Sequence, residues 1–341
     1  MLLVETLAGL KHRHCLSSKG ARFLPLAAAG QAAGRWIGVK LASLLQRFWY
    51  RQGHLSLGRR WLEDLIVLSA QPSTGVPNSE RAALLSAGAE MHWAIGDYSQ
   101  TRKYLEGALE LRGGADDVTR AELLIAMGWE AAASGDLDVA ASCFAEAVSL
   151  RASPASMVRA AGWQAMAVLE QGRLIDAAAM LELCGQFARE SNDRYLIAIH
   201  TGLLSQLMLR QGDFDGASTM LREGLSFMQS VGGKTGTAQA FRLIGELGFG
   251  KRLLSEAARL VGASDKLTED IGQAYPVMYA ISRDRLAGWL RDGLAENYGL
   301  LIEEGRDMSE PEAVALAHRV LEAPITTADL AQRPTEVHPA E

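Results

Sequence analysis

Apolar residues recur along most of this chain at three- and four-residue intervals. That spacing puts them on one face of an α-helix. Runs of β-branched residues, which would favour strands, are scarce, while Ala and Leu, both strong helix formers, dominate. Polar or Gly-containing breaks interrupt the periodic segments: QPSTGVPNSE, RGGADDVT, RASPAS, ESNDR and SVGGKTG. The pattern predicts an all-α chain. Residues 1–34 read as an irregular lead-in, 35–272 as about six helix pairs, and 273–322 as C-terminal capping helices. Ser309 followed by Glu312 marks a capping box before the last helix. Residues 323–341 lack an apolar period and read as a disordered tail.

The helix pairs repeat. Gly96-Asp97, Gly135-Asp136, Gly172-Arg173 and Gly212-Asp213 follow one another at steps of 39, 37 and 40 residues. Five residues after each glycine stands Thr101, Ala140, Ala177 or Ala217, all small. Nine after stands Leu105, Phe144, Leu181 or Leu221, all large. Twelve after stands Ala108, Ala147, Cys184 or Gly224, and seven before stands Ala89, Gly128, Ala165 or Ser205. Small side chains let two antiparallel helices approach, and the large one fills the gap between them. Glycine ends the first helix at positive φ, and Asp caps the second. This pattern is similar to the tetratricopeptide (TPR) repeat, slightly longer than its usual 34 residues. It predicts an α-solenoid of TPR-like antiparallel helix pairs. HEAT-type pairs are the alternative. A degenerate earlier copy surrounds Gly53, and a later one covers Thr237–Ile271, whose turn, GFGKRLLSEAARL, has no clean Gly-Asp.

Two stretches resemble a known family. FWYRQGHLSLGRRWLE is similar to the opening of the TPR region in large actinobacterial LuxR-type and adenylate-cyclase-like regulators with a predicted signalling ATPase. The ending, SEAARLVGASDKLTEDIGQAYP, then RDRLAGWLRDGL and EEGRDMSEPEAVALA, resembles theirs too. The resemblance spans roughly Gly34–Ala323 and implies a region that senses a ligand or partner, or holds a regulator inactive. The ATPase and DNA-binding modules of such regulators have no counterpart motif here. Neither activity is carried over.

Net charge is −6 with pI near 5.7, and an acidic surface repels phosphate backbones, so no direct nucleic-acid partner is expected. Three cysteines, Cys15, Cys143 and Cys184, form no disulfide framework, as suits a reducing cytoplasm. No uninterrupted apolar run reaches the roughly 18 to 20 residues of a spanning helix, and no membrane association is expected.

Candidate chemistry is sparse. Gly232-Gly233-Lys234-Thr235-Gly236 looks like part of a phosphate loop. However, Met228 stands where the loop's first Gly belongs and a helix precedes the segment, so it reads as a turn. His12, His14 and Cys15 stand too close together for one helix face to hold a metal, and read with Lys11 and Arg13 as a basic patch. The remaining histidines are scattered, and no carboxylate pair stands out as acid and base. No enzyme activity, cofactor or metal is expected. The concave face of the stack is the candidate site. Trp129 lies six residues before its turn glycine, a position that faces inward in TPR proteins. By the same register Glu90, Glu122, Arg159, Met166, Gln206 and Arg210 look into the groove, and Trp93 joins them as an aromatic anchor. A protein or peptide is the expected partner. A small molecule among Trp93, Trp129 and Met166, or a remnant of a larger regulator, are the alternatives.

Overall fold

The computed structural model describes residues 32–113, 116–275 and 277–324. The readings of the lead-in through residue 31, with His12, His14 and Cys15, and of the tail from residue 325 lie outside these residues. Among the described residues every regular element is helical. The order is α1 (Ala32–Gln52), α2 (Leu55–Ser69), α3 (Asn78–Ala94), α4 (Tyr98–Leu111), α5 (Asp117–Ala133), α6 (Leu137–Ser149), α7 (Pro154–Glu170) and α8 (Leu174–Ser191). It continues with α9 (Arg194–Gln211), α10 (Phe214–Val231), α11 (Lys234–Gly250), α12 (Leu254–Asp270), α13 (Val277–Leu294), α14 (Asn297–Asp307) and α15 (Glu310–Glu322).

Local chemistry sets these boundaries. Gly96, Gly135, Gly172 and Gly212 each end a helix at φ between +75° and +85°. The carboxylates of Asp97, Asp136 and Asp213 then accept from the backbone N–H of Gln100, Val139 and Gly216, three residues into the next helix. Arg173 makes no such cap. In the copy without Gly-Asp, Arg252 takes the left-handed position at φ +60°. Gly232 ends α10 the same way and Lys234 opens α11, so the phosphate-loop lookalike is a turn. The Ser309–Glu312 capping box forms in both directions.

Consecutive helices pack antiparallel, and the odd-numbered ones also meet one another: α1 with α3, α5 with α7, α7 with α9, α9 with α11. They therefore line the inner face of a curved TPR-like stack, with even-numbered helices outside. The small-large pairing is direct. A Cβ added to Gly128 on α5 would lie 2.5 Å from the Phe144 ring on α6, so only glycine leaves room for that ring. Thr101 Oγ1 reaches back to the Ala89 carbonyl at 3.2 Å, joining the small positions of one pair.

Two long-range features change the picture from an open groove. First, the stack closes on itself. Tyr50 and Gln52, at the end of α1, meet the start of α11 and the end of α10: Thr235 Oγ1 donates to the Tyr50 carbonyl at 2.8 Å, and Gln52 Nε2 to the Val231 carbonyl at 3.0 Å. Arg51 lies over the Tyr195 ring at 3.9 Å and pairs with Asp193 at 3.9 Å. Second, α13 does not extend the stack. It packs on α12 and α14 and also turns back against α5, α7 and α11, on the inner side. Its Met278 is buried in one core cluster with Trp129, Trp163 and Met166. The segment before it is stapled to the end of α3, where Ala274 N donates to the Ala94 carbonyl at 3.0 Å. Helices α14 and α15 cover α12 and α11 from outside.

Candidate functional site

Ring closure and α13 together leave a partly open cavity of about 790 Å³ on the inner face, lined by α1, α3, α4, α5, α7, α9, α10, α11 and Tyr279 of α13. Its size lies within the roughly 300–1,000 Å³ of small-molecule sites. The lining follows the repeat. Ala83, Glu122, Arg159 and Ile199, each thirteen residues before a turn glycine, all reach it.

Five of the eight residues singled out from sequence line this cavity: Glu90, Trp93, Glu122, Arg159 and Gln206. Three do not. Trp129 and Met166 are fully buried, in the cluster that Met278 of α13 joins. Arg210 is drawn to Glu170 at 3.6 Å, and Arg285 of α13 holds the same carboxylate at 2.7 and 3.3 Å. All three belong to the inner helices, on the stretch that α13 covers. The small-molecule site expected among Trp93, Trp129 and Met166 therefore has only Trp93 at the cavity.

An aromatic wall runs along one side. Tyr50 and Trp93 lie 6.2 Å apart between ring centres, Trp93 and Trp163 6.1 Å, and Trp163 and Tyr279 5.5 Å. Burial pushes the Tyr195 and Tyr279 phenols up to about 12, and that of Tyr50 well above its ordinary value. The Glu90 carboxylate, on the same lining, adds to the rise at Tyr50 and Tyr195. These phenols stay neutral and offer hydroxyls at physiological pH.

Charge on the lining is mostly paired. Arg159 bridges Glu122 and, at 3.6 Å, Glu90, while Ser156 donates to Glu122 at 2.9 Å. Arg242, 1% exposed, donates to Ser282 of α13 at 3.0 Å and to Gln206 Oε1 at 3.4 Å, and lies 3.7 Å from Glu246. Burial raises the Glu246 carboxyl, and the nearby guanidinium groups of Arg242, Arg285 and Arg210 oppose the rise.

Among the described residues, four buried polar atoms of the lining lack a protein partner. Gln46 Nε2, Trp93 Nε1, Gln206 Nε2 and Gln273 Oε1 are all buried, belong to residues that line the cavity, and find no hydrogen-bond partner. The indole nitrogen is donor-only. Gln206 has its orientation set by Arg242, which donates to its oxygen and leaves the amide N–H free. A buried donor left unpaired costs about 1–3 kcal/mol, so such a group in a native fold calls for an occupant.

Trp163, which the sequence groups with Trp93 and Trp129 as a possible groove aromatic, also lines the site, while Tyr50, Tyr195, Arg242 and Tyr279 form part of it without having been sequence candidates. Tyr50 had a signal: it stands three residues before Gly53, as Trp93 stands before Gly96. Tyr279 had none, because α13 has no place in the repeat register.

No family model and no curated protein matches the chain. Among solved structures, a crystal structure of NprR in complex with its cognate peptide NprX is similar at 13% identity and a TM-score of 0.49, covering 96% of this chain and 95% of that one. The TPR-like assignment rests on the helix pairs and their packing. Among the described residues no helix is long and apolar enough to cross a membrane, and no three His, Cys, Asp or Glu side chains are grouped to hold a metal.

Proposed function

We propose that this protein is a non-enzymatic regulatory module that binds a short segment of a protein or peptide partner in its concave cavity. The observation that carries this reading is the set of unpartnered buried groups, Gln46, Trp93, Gln206 and Gln273, on the lining of one cavity. A cavity of about 790 Å³ has room for a few residues of a partner. The resemblance of both ends of the repeat region to LuxR-type regulators points to transcriptional regulation or signalling as the setting, in the cytoplasm. The same volume favours one second reading, a small-molecule sensor.

A tagged pull-down from host lysate tests the proposal, comparing the native chain with Trp93→Phe and Gln206→Leu. Each substitution removes one free donor and keeps most of the side-chain volume. A peptide or protein held by the native chain and lost from both folded variants is the expected result. Retention that ignores both substitutions would sink the reading. A melting-temperature rise with a metabolite, absent in the same variants, would move the assignment to the sensor.

A further inference from the structure

The lining also indicates what kind of group the cavity takes, provided that the concave cavity is the binding site. Arg159 is shared between Glu90 and Glu122, so the three together carry one net negative charge. Arg51 is engaged by Asp193 and Arg112 by Asp116, whereas on the Gln206 side three guanidinium groups, Arg242, Arg210 and Arg285, share two carboxylates, Glu246 and Glu170, and leave one positive charge there. Arg47 is exposed, at the rim. The uncompensated carboxylate stands beside an aromatic wall, and the faces of Trp and Tyr rings attract cations. On the same lining, Trp93 Nε1 and Gln206 Nε2 are donors that lack an acceptor. A carboxylate in excess at the Glu90 end, an aromatic wall, and free donors of which Gln206 lies beside the Arg242 guanidinium complement a ligand that brings a positive charge and an acceptor oxygen together.

We propose that the cavity binds an organic ammonium with a neighbouring carbonyl, its charge at Glu90 and its carbonyl oxygen on the free N–H of Trp93 or Gln206. Two sources carry that chemistry: the free N-terminus of a peptide, and a small amine such as an amino-acid amide. The ammonium replaces its hydration with the Glu90 carboxylate and the neutral phenols, and the carbonyl satisfies a donor that the fold leaves open.

Melting temperature and titration calorimetry on the full chain test this with three probe sets. The first is a mixture of tripeptides with free N-termini, the second the same mixture N-acetylated, and the third a set of amino-acid amides. Free amines are expected to raise the melting temperature and acetylated peptides not to. Glu90→Gln should weaken binding about tenfold or more, the scale of one charge-assisted hydrogen bond, and Glu90→Asp should restore part of it. Circular dichroism of the unliganded variants controls for folding. Binding by tripeptides alone supports a peptide N-terminus, and binding by amides alone supports a small amine. Acetylated peptides that bind equally well, yet are lost from Trp93→Phe and Gln206→Leu, overturn the ammonium assignment and leave the concave site standing. No binding in any set also overturns it, and the lysate pull-down then decides the concave site separately.

Discussion

At the scale of single residues, capping groups tie the fold to pH. Asp116 precedes α5 and accepts from the backbone N–H of Thr119 at 3.1 Å, from the Thr119 hydroxyl and from Arg112. Burial pushes its carboxyl up, but the Thr119 hydrogen bonds and the Arg112 charge outweigh burial and hold it below the ordinary value. The sign follows directly. At pH above the ordinary value near 3.9 both folded and unfolded chains are ionised, and the cap contributes fully. As pH falls the unfolded chain takes up its proton first, and the contribution drains away until the folded carboxyl is protonated too. Asp116→Asn keeps a good cap but no charge. The cap itself is kept, so the cost at pH 7 is that of the Arg112 pair, about 0.5–1 kcal/mol, and the variant's stability should fall less than the native chain's between roughly pH 5 and 3. Urea melts of both proteins across that range measure the difference. Equal acid slopes would show that Asp116 does not carry the effect.

At the scale of elements, the helix pairs were legible in sequence and the position of α13 was not. Gly96, Gly135, Gly172 and Gly212 announce turns because only glycine takes positive φ without a Cβ clash, and Asp after three of them announces a cap. Gly128 against Phe144 shows why the small and large positions keep their offsets. All of this is local, so it leaves a periodic trace. Docking of α13 onto α5 and α7 joins segments more than a hundred residues apart and leaves none. That is why inward positions read from the register divide into Glu90 and Gln206 at the cavity, and Trp129 and Met166 under α13. What holds α13 is testable. The Glu170 side chain, 1% exposed, takes Arg285 of α13 and Arg210 of α9. Glu170→Gln would leave two guanidinium groups without their carboxylate, and losing one side of a buried pair costs about 3 kcal/mol. The expected outcome is that loss in denaturant melts, with trypsin cleaving first at Arg283 or Arg285. Native-like stability would mean that apolar contacts through Met278, Leu286 and Leu290 hold the helix.

At the scale of the whole molecule, closure distinguishes this protein from an open solenoid. In an open stack each repeat touches only its neighbours, so terminal helices open at the lowest free energy. Here the end of α1 is held by the start of α11, through Thr235 on the Tyr50 carbonyl, by the end of α10, through Gln52 on the Val231 carbonyl, and by Arg51 over Tyr195 on α9. The two ends of the inner helix row support each other, and the cavity they border exists only while the contact holds. Amide exchange in the last turn of α1, Trp49 to Gln52, should therefore be as slow as in the inner helices α7 and α9. Thr235→Val keeps the side-chain shape and removes the hydroxyl donor, at about 1 kcal/mol. Paired with Gln52→Ala, it should speed exchange at that last turn roughly tenfold or more and leave α7 unchanged. Exchange measured by mass spectrometry on overlapping peptides reads both regions in one experiment. Fast exchange of α1 in the native chain would make the ring an open stack and the cavity a groove. Slow exchange that the double substitution releases locally ties the cavity volume to those two hydrogen bonds, so any ligand that needs the volume should slow exchange at α1 as well as at its own contacts.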